Sequence, residues 1–117
     1  MKELEVVKDR DVLFGRILAI CDVIGEKIYP NETKLEHRYF DKFIKKPASI
    51  YKKILEELMI QNHKFGTTEW NLLHLLDQII DELGADRFND EPLKNKYIWG
   101  LSKQRHILHS HGYKTRV

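Results

Sequence analysis

Apolar side chains recur along most of this chain at the three- and four-residue spacing of α-helices. Over residues 11–28 they fall at 13, 17, 20, 24 and 28, with a second row at 14, 18 and 21, the wide stripe of a core-facing helix. Asp9 or Asp11 can cap it by accepting a backbone N–H of the first turn. Tyr29-Pro30-Asn31 breaks the pattern, and Thr33 followed by Glu36 has the form of a capping box opening a second helix. Leu35, Tyr39, Phe40, Phe43 and Ile44 face inward on it. Pro47 suits the first turn of a third helix, where its missing N–H costs nothing, with Ile50, Tyr51, Ile54, Leu55, Leu58 and Met59 as the apolar side. Thr67 or Thr68 caps a fourth, with Leu72, Leu73, Leu75, Leu76, Ile79, Ile80 and Leu83 inward and Gly84 as its stop. Asp90 and Pro92 open a fifth that runs to about His109 and carries Leu93, Tyr97, Leu101 and Leu108 on one side. Gly100 and Gln104 share that stripe; the glycine permits close helix approach, and the amide satisfies a buried backbone group.

Only Leu4-Glu5-Val6 alternates as a strand would, and it is short. The expected fold is therefore all-α, a single-domain bundle of about five helices spanning residues 1–117, with 1–10 and 112–117 flexible. A chain of 117 residues can bury one core and is too short for two. No apolar run approaches the roughly 20 residues of a membrane span. The opening MKELEVVKDRD lacks the continuous apolar stretch of a secretory signal, and the single Cys21 permits no internal disulfide. The expectation is a cytoplasmic protein with no membrane partner.

Charge changes this picture, because a net +2 conceals a strong segregation. Residues 1–26 hold 4 basic and 6 acidic side chains, residues 27–64 hold 9 and 5, residues 65–93 hold 1 and 7, and residues 94–117 hold 6 and 0. Lys34, Arg38 and Lys42 stand four residues apart, with Lys45 and Lys46 close behind, so on a helix they share one face and repel one another by a few tenths of a kcal/mol per pair. The local fold gains nothing from that stripe. An external anion, with a phosphate backbone as the leading candidate, explains it; a solvated face serving solubility is the competing explanation. Lys52 and Lys53 each precede a glutamate by four residues, Glu56 and Glu57, and Lys45 can pair with Asp41, which leaves Lys34, Arg38 and Lys42 the least neutralised. The last segment adds Lys94, Lys96, Lys103, Arg105, Lys114 and Arg116.

Catalytic chemistry finds little support in the residue pattern. His106, His109 and His111 could bind a divalent metal, but no acidic or cysteine ligand follows Glu91, and a solvated or phosphate-contacting tail fits them better. Cys21 lies on the inward side of the first helix, where a thiol packs as a small hydrophobe. Asp77, Asp81 and Glu82 lack an opposed carboxylate, and there is no glycine-rich phosphate loop. No metal, cofactor or catalytic group is expected. Trp70 projects from the polar side of the fourth helix with His74, Asp77 and Asp81, as a protein contact would, or folds back over the helix start.

From Gly15-Arg16 and Ala19, through Asn31, Thr33, Arg38-Tyr39-Phe40 and Pro47-Ala48-Ser49, to Gly100 and Gln104-Arg105, the chain resembles the C-terminal region of the large subunit of type I-C CRISPR Cascade. The resemblance spans roughly residues 12–108; it departs from the family at Gln61-Asn62-His63, where paired histidines are common, and at Leu101-Ser102-Lys103, where aromatic residues are. That region is also made separately from an internal start as a small subunit, and a chain beginning at Met1 looks like that product. The resemblance implies a non-catalytic helical bundle beside guide RNA, target and non-target DNA strands, the large and backbone subunits and an adjacent copy of itself, holding the R-loop open. Arg16, Arg38 and Arg105 fall on matching motif positions; Lys34, Lys42, Lys46 and Lys103 join the candidate nucleic-acid contacts on charge alone. The alternative is a helical protein-interaction adaptor using Trp70 and the acidic fourth helix, without nucleic acid.

Overall fold

The computed structural model describes residues 9–28, 35–59 and 68–113, and within them the architecture is all-α. Five helices follow one another: α1 (Arg10–Ile28), α2 (Leu35–Lys45), α3 (Pro47–Met59), α4 (Thr68–Arg87) and α5 (Tyr97–Ser110). No helix among the described residues is long and apolar enough to cross a membrane.

The centre of the bundle is α1. Val12, Leu13, Phe14, Ile17, Leu18, Ala19, Ile20, Cys21, Val23 and Ile24 are all buried, so this helix is enclosed on every side, a stage beyond a stripe facing one core. The other four helices pack around it, α5 most extensively, and α2 and α3 also pack on each other. Asp9 caps α1, its Oδ1 accepting the Asp11 N–H at 2.9 Å. Asp11 is thereby free to make a tertiary contact, and its Oδ2 accepts the Lys94 N–H at 3.0 Å.

The tightest crossing joins α1 to α5. A Cβ on Gly100 would lie 2.7 Å from the Val12 carbonyl carbon, and one on Gly15 would lie 2.8 Å from the Leu101 nitrogen, so only hydrogen fits at either position. The close approach expected of Gly100 is present, with Gly15 as its counterpart.

Gly84 adopts φ 74°, ψ 161° and kinks α4, as its stop position requires; one further turn carries the chain to Arg87. The fifth helix differs from expectation. It begins at Tyr97, and residues 88–94 form an extended connection. Arg10 fastens this connection, donating from Nε to the Arg87 carbonyl at 2.9 Å and from Nη2 to the Asn89 and Glu91 carbonyls at 3.0 and 2.7 Å. Phe88, within it, stacks on Phe14 with centroids 5.9 Å apart and meets Tyr51 edge-on at 5.8 Å. Such pairs add about 0.5–1.5 kcal/mol each beyond their burial.

Candidate nucleic-acid interface

The basic stripe rides on α2, whose inner side is fixed by Phe43, fully buried, with Tyr39, Phe40 and Ile44 packed against the core. That orientation turns Lys42 and Lys45 outward, and both are exposed, as is Lys46, the single residue between α2 and α3. Arg38 lies on α2 one turn before Lys42, with its side chain outside the described residues; Lys34 lies outside them altogether. Among the described residues Lys42, Lys45 and Lys46 form no ion pair.

The expected local pairing of the other lysines does not occur among the described residues. Glu57 turns toward α2 and accepts the Tyr39 hydroxyl at 2.9 Å, while the Lys52 ammonium sits over the Phe88 ring, 5.8 Å from its centroid. Exposed pairs one helical turn apart gain only a few tenths of a kcal/mol, so tertiary partners outcompete them. Lys45 consequently remains part of the exposed basic group, and Lys53, exposed on α3, likewise has no ion pair among the described residues.

A helix N-terminus beside a lysine is a ready anion site, and the start of α3 beside Lys46 has that form. It is filled from within. Asp90 accepts the Ser49 N–H at 2.8 Å and also the Ser49 hydroxyl. These bonds, with smaller help from the Ala48 N–H and Lys46, hold its carboxyl below the usual aspartate value of 3.8. Asp90 therefore caps α3 from a distant part of the chain; it does not open α5.

On α5, Lys103 is exposed and Arg105 half-buried, with His106, His109 and His111 exposed beyond them. Lys96 pairs with Asp9 at 3.5 Å. Arg16 faces the α1–α5 seam: its Nε donates to Gln104 Oε1 at 2.9 Å and its Nη1 lies 3.7 Å from Glu82. Gln104, 1% exposed, thus serves a guanidinium and not the expected backbone group. Arg16 and Gln104 form an internal link between α1 and α5, while Lys42, Lys46 and Lys103 stand in solvent. α2 meets the start of α5 and the connection before it, where Phe40 meets Tyr97 edge-on at 6.0 Å and the Leu93 N–H donates to the Ile44 carbonyl at 2.8 Å.

Trp70 is half-buried and stacks parallel on His74, rings 5.3 Å apart. The prominent exposed tryptophan is Trp99, at 56%. A helical wheel carries the signal for it: Trp99 falls opposite the inward stripe of Tyr97, Leu101, Gln104 and Leu108. Among the described residues no group of three His, Cys, Asp or Glu side chains could hold a metal ion. Burial, reinforced by neighbouring Asp22, pushes the Cys21 thiol far up, and a thiol without access to its thiolate is a poor nucleophile.

Fold and surface together define an all-α bundle protein that displays exposed lysines, without ion pairs among the described residues, on three of its helices. The chain belongs to the CRISPR-associated protein family Cas_Csd1, whose family model matches residues 4–108. Comparison with curated proteins and with solved structures gives no match to either.

Proposed function

We propose that this chain is a non-catalytic small subunit of a type I-C Cascade complex, which contacts sugar-phosphate backbone without reading sequence and helps hold the R-loop open. Membership of a CRISPR-associated family supports the setting. The observation that carries the nucleic-acid contact is the exposed basic group of Lys42, Lys45 and Lys46 on α2 and its junction, with no ion pair among the described residues. In such machinery base pairing reads sequence, and protein supplies a basic channel that holds the strands. Guide RNA and both DNA strands are the proposed nucleic-acid partners; the large subunit, the backbone subunits and an adjacent copy of this chain are the proposed protein partners. Lys34, Arg38 and Lys42 form the principal contact on this reading, with Lys46, Lys103 and Arg105 auxiliary. Arg16, tied to Gln104 and Glu82, acts through the α1–α5 seam.

The test is target capture by the assembled complex across a range of salt concentrations. With Lys34, Arg38 and Lys42 all changed to Ala, capture weakens and the plot of log affinity against log salt becomes shallower by about 2, the share of three single-strand phosphate contacts. An unchanged slope contradicts the reading. A stable protein complex that survives nuclease treatment, with no strand bound before it, supports the adaptor alternative.

A further inference from the structure

The outer face of α5 carries a combination that core packing does not account for. Trp99 is 56% exposed, and along the same face Lys103, His106 and Ser110 follow at intervals of four, three and four residues, all exposed. Lys103 makes no ion pair among the described residues, and residues 94–117 contain no Asp or Glu. Two other exposed apolar residues, Ile98 and Ile107, do not extend the tryptophan into an apolar stripe. Nine residues apart on one helix, they point to opposite sides of it. Protein interfaces are enriched in tryptophan but depleted of lysine at their centres, and a protein partner for this face would have to bring the missing acids. A polyanion that also offers flat π faces matches both features.

We propose that Trp99 is a stacking platform for an unpaired base of single-stranded nucleic acid, with Lys103 meeting the adjoining phosphate. The proposal rests on the function above and deepens it by naming the residue and the kind of strand. In a duplex the base faces are stacked on one another; only an opened strand presents one to an indole. Stacking of this kind tolerates any base, as a contact without sequence preference requires.

The test uses the full 117-residue chain at low salt with two probes, an oligothymidylate of about 20 nucleotides, long enough to span a single-strand site, and an abasic strand of the same length. In a Trp70→Phe background Trp99 is the sole tryptophan. Oligothymidylate should quench its fluorescence and the abasic strand should not. By anisotropy, Trp99→Ala in the otherwise unaltered chain should weaken oligothymidylate binding about fivefold or more while leaving the abasic strand unaffected, and Trp99→Phe should restore part of the loss. Lys103→Ala should flatten the salt dependence for both strands. Far-UV circular dichroism checks that each variant folds. Oligothymidylate binding without quenching, and indifferent to Trp99→Ala, overturns the platform and leaves the proposed function standing. No binding of either strand overturns the platform, and the proposed function then stands or falls on target capture by the assembled complex. Loss of self-association in Trp99→Ala, with strand binding intact, overturns the platform in favour of a second copy of the chain.

Discussion

The Asp90 carboxylate occupies the place at the start of α3 that an external anion would otherwise take, and its ionisation ties a connecting segment to a helix end. Ser49 is its main support, through both the hydroxyl and the backbone N–H, and together they hold the carboxyl below 3.8. A depressed folded-state value means that the contribution is present above the unfolded value and is lost as pH falls through the lower folded one. Asp90→Asn should therefore lower the urea midpoint at neutral pH, and its deficit should close below pH 3.8 as the native carboxyl becomes protonated too. Ser49→Ala should move the Asp90 titration back toward 3.8, followed by side-chain carboxyl NMR. A constant midpoint difference across that range would contradict the assignment. Asp90-x-Pro92 has the form of a helix start in the sequence, and one residue's local pattern cannot reveal that its carboxylate caps a helix about forty positions earlier.

At the scale of elements, the α1–α5 crossing separates two ways in which glycine matters. At Gly15 and Gly100 the obstacle to a methyl group is backbone of the facing helix, Tyr97 and Leu101 in one case and Val12 in the other, which cannot rotate aside. Gly15→Ala or Gly100→Ala should cost about 3 kcal/mol or more in urea denaturation, the upper range for overpacking. At Gly84 nothing lies within 4 Å, and the obstacle is the backbone itself, since φ 74° with ψ 161° is a region essentially confined to glycine, worth about 1–3 kcal/mol for an added side chain. Equal losses at the three positions would refute the distinction. Helix existence was legible here because spacing alone encodes it: Leu13, Ile17, Ile20 and Ile24 mark α1, and Leu72, Leu76, Ile79 and Leu83 mark α4, and all eight are buried. What spacing could not show is that α1 is enclosed on all sides, or that Phe88 leaves the helical pattern to stack against Phe14, since both depend on which elements arrive from elsewhere. Likewise the pairing of Lys52 with Glu56 is allowed by spacing and displaced by the Phe88 ring.

Over the whole molecule, α1 serves as an axis around which helices of opposite charge are arranged. The outward lysines of α2 and Lys103 of α5 carry one sign, and Asp77, Asp81, Glu82 and Asp86, all exposed on α4, carry the other. The segregation was visible as blocks in the sequence, but the membership of the exposed basic group was only partly visible: Lys42 and Lys46 stand exposed as expected, while Lys45, set aside as an Asp41 partner, stands exposed with them. On the proposed function the basic helices meet nucleic acid and α4 faces neighbouring protein, and the two surfaces should be separable by mutation. Asp77→Asn with Asp81→Asn should reduce incorporation of the subunit into its complex, measured by co-purification, and leave the salt dependence of target binding unchanged in complexes that do assemble. The basic triple variant should do the reverse. Damage to the fold can be distinguished from loss of an interface, because Asp77 and Asp81 are like charges one helical turn apart, whose mutual repulsion costs a few tenths of a kcal/mol. Removing both should leave the thermal midpoint of the free chain unchanged or slightly raised. If incorporation falls while that midpoint holds, α4 is a docking face; if the double variant instead alters the salt slope, the acids act on the strand through the field of the whole molecule, and charge segregation does not divide protein from nucleic acid.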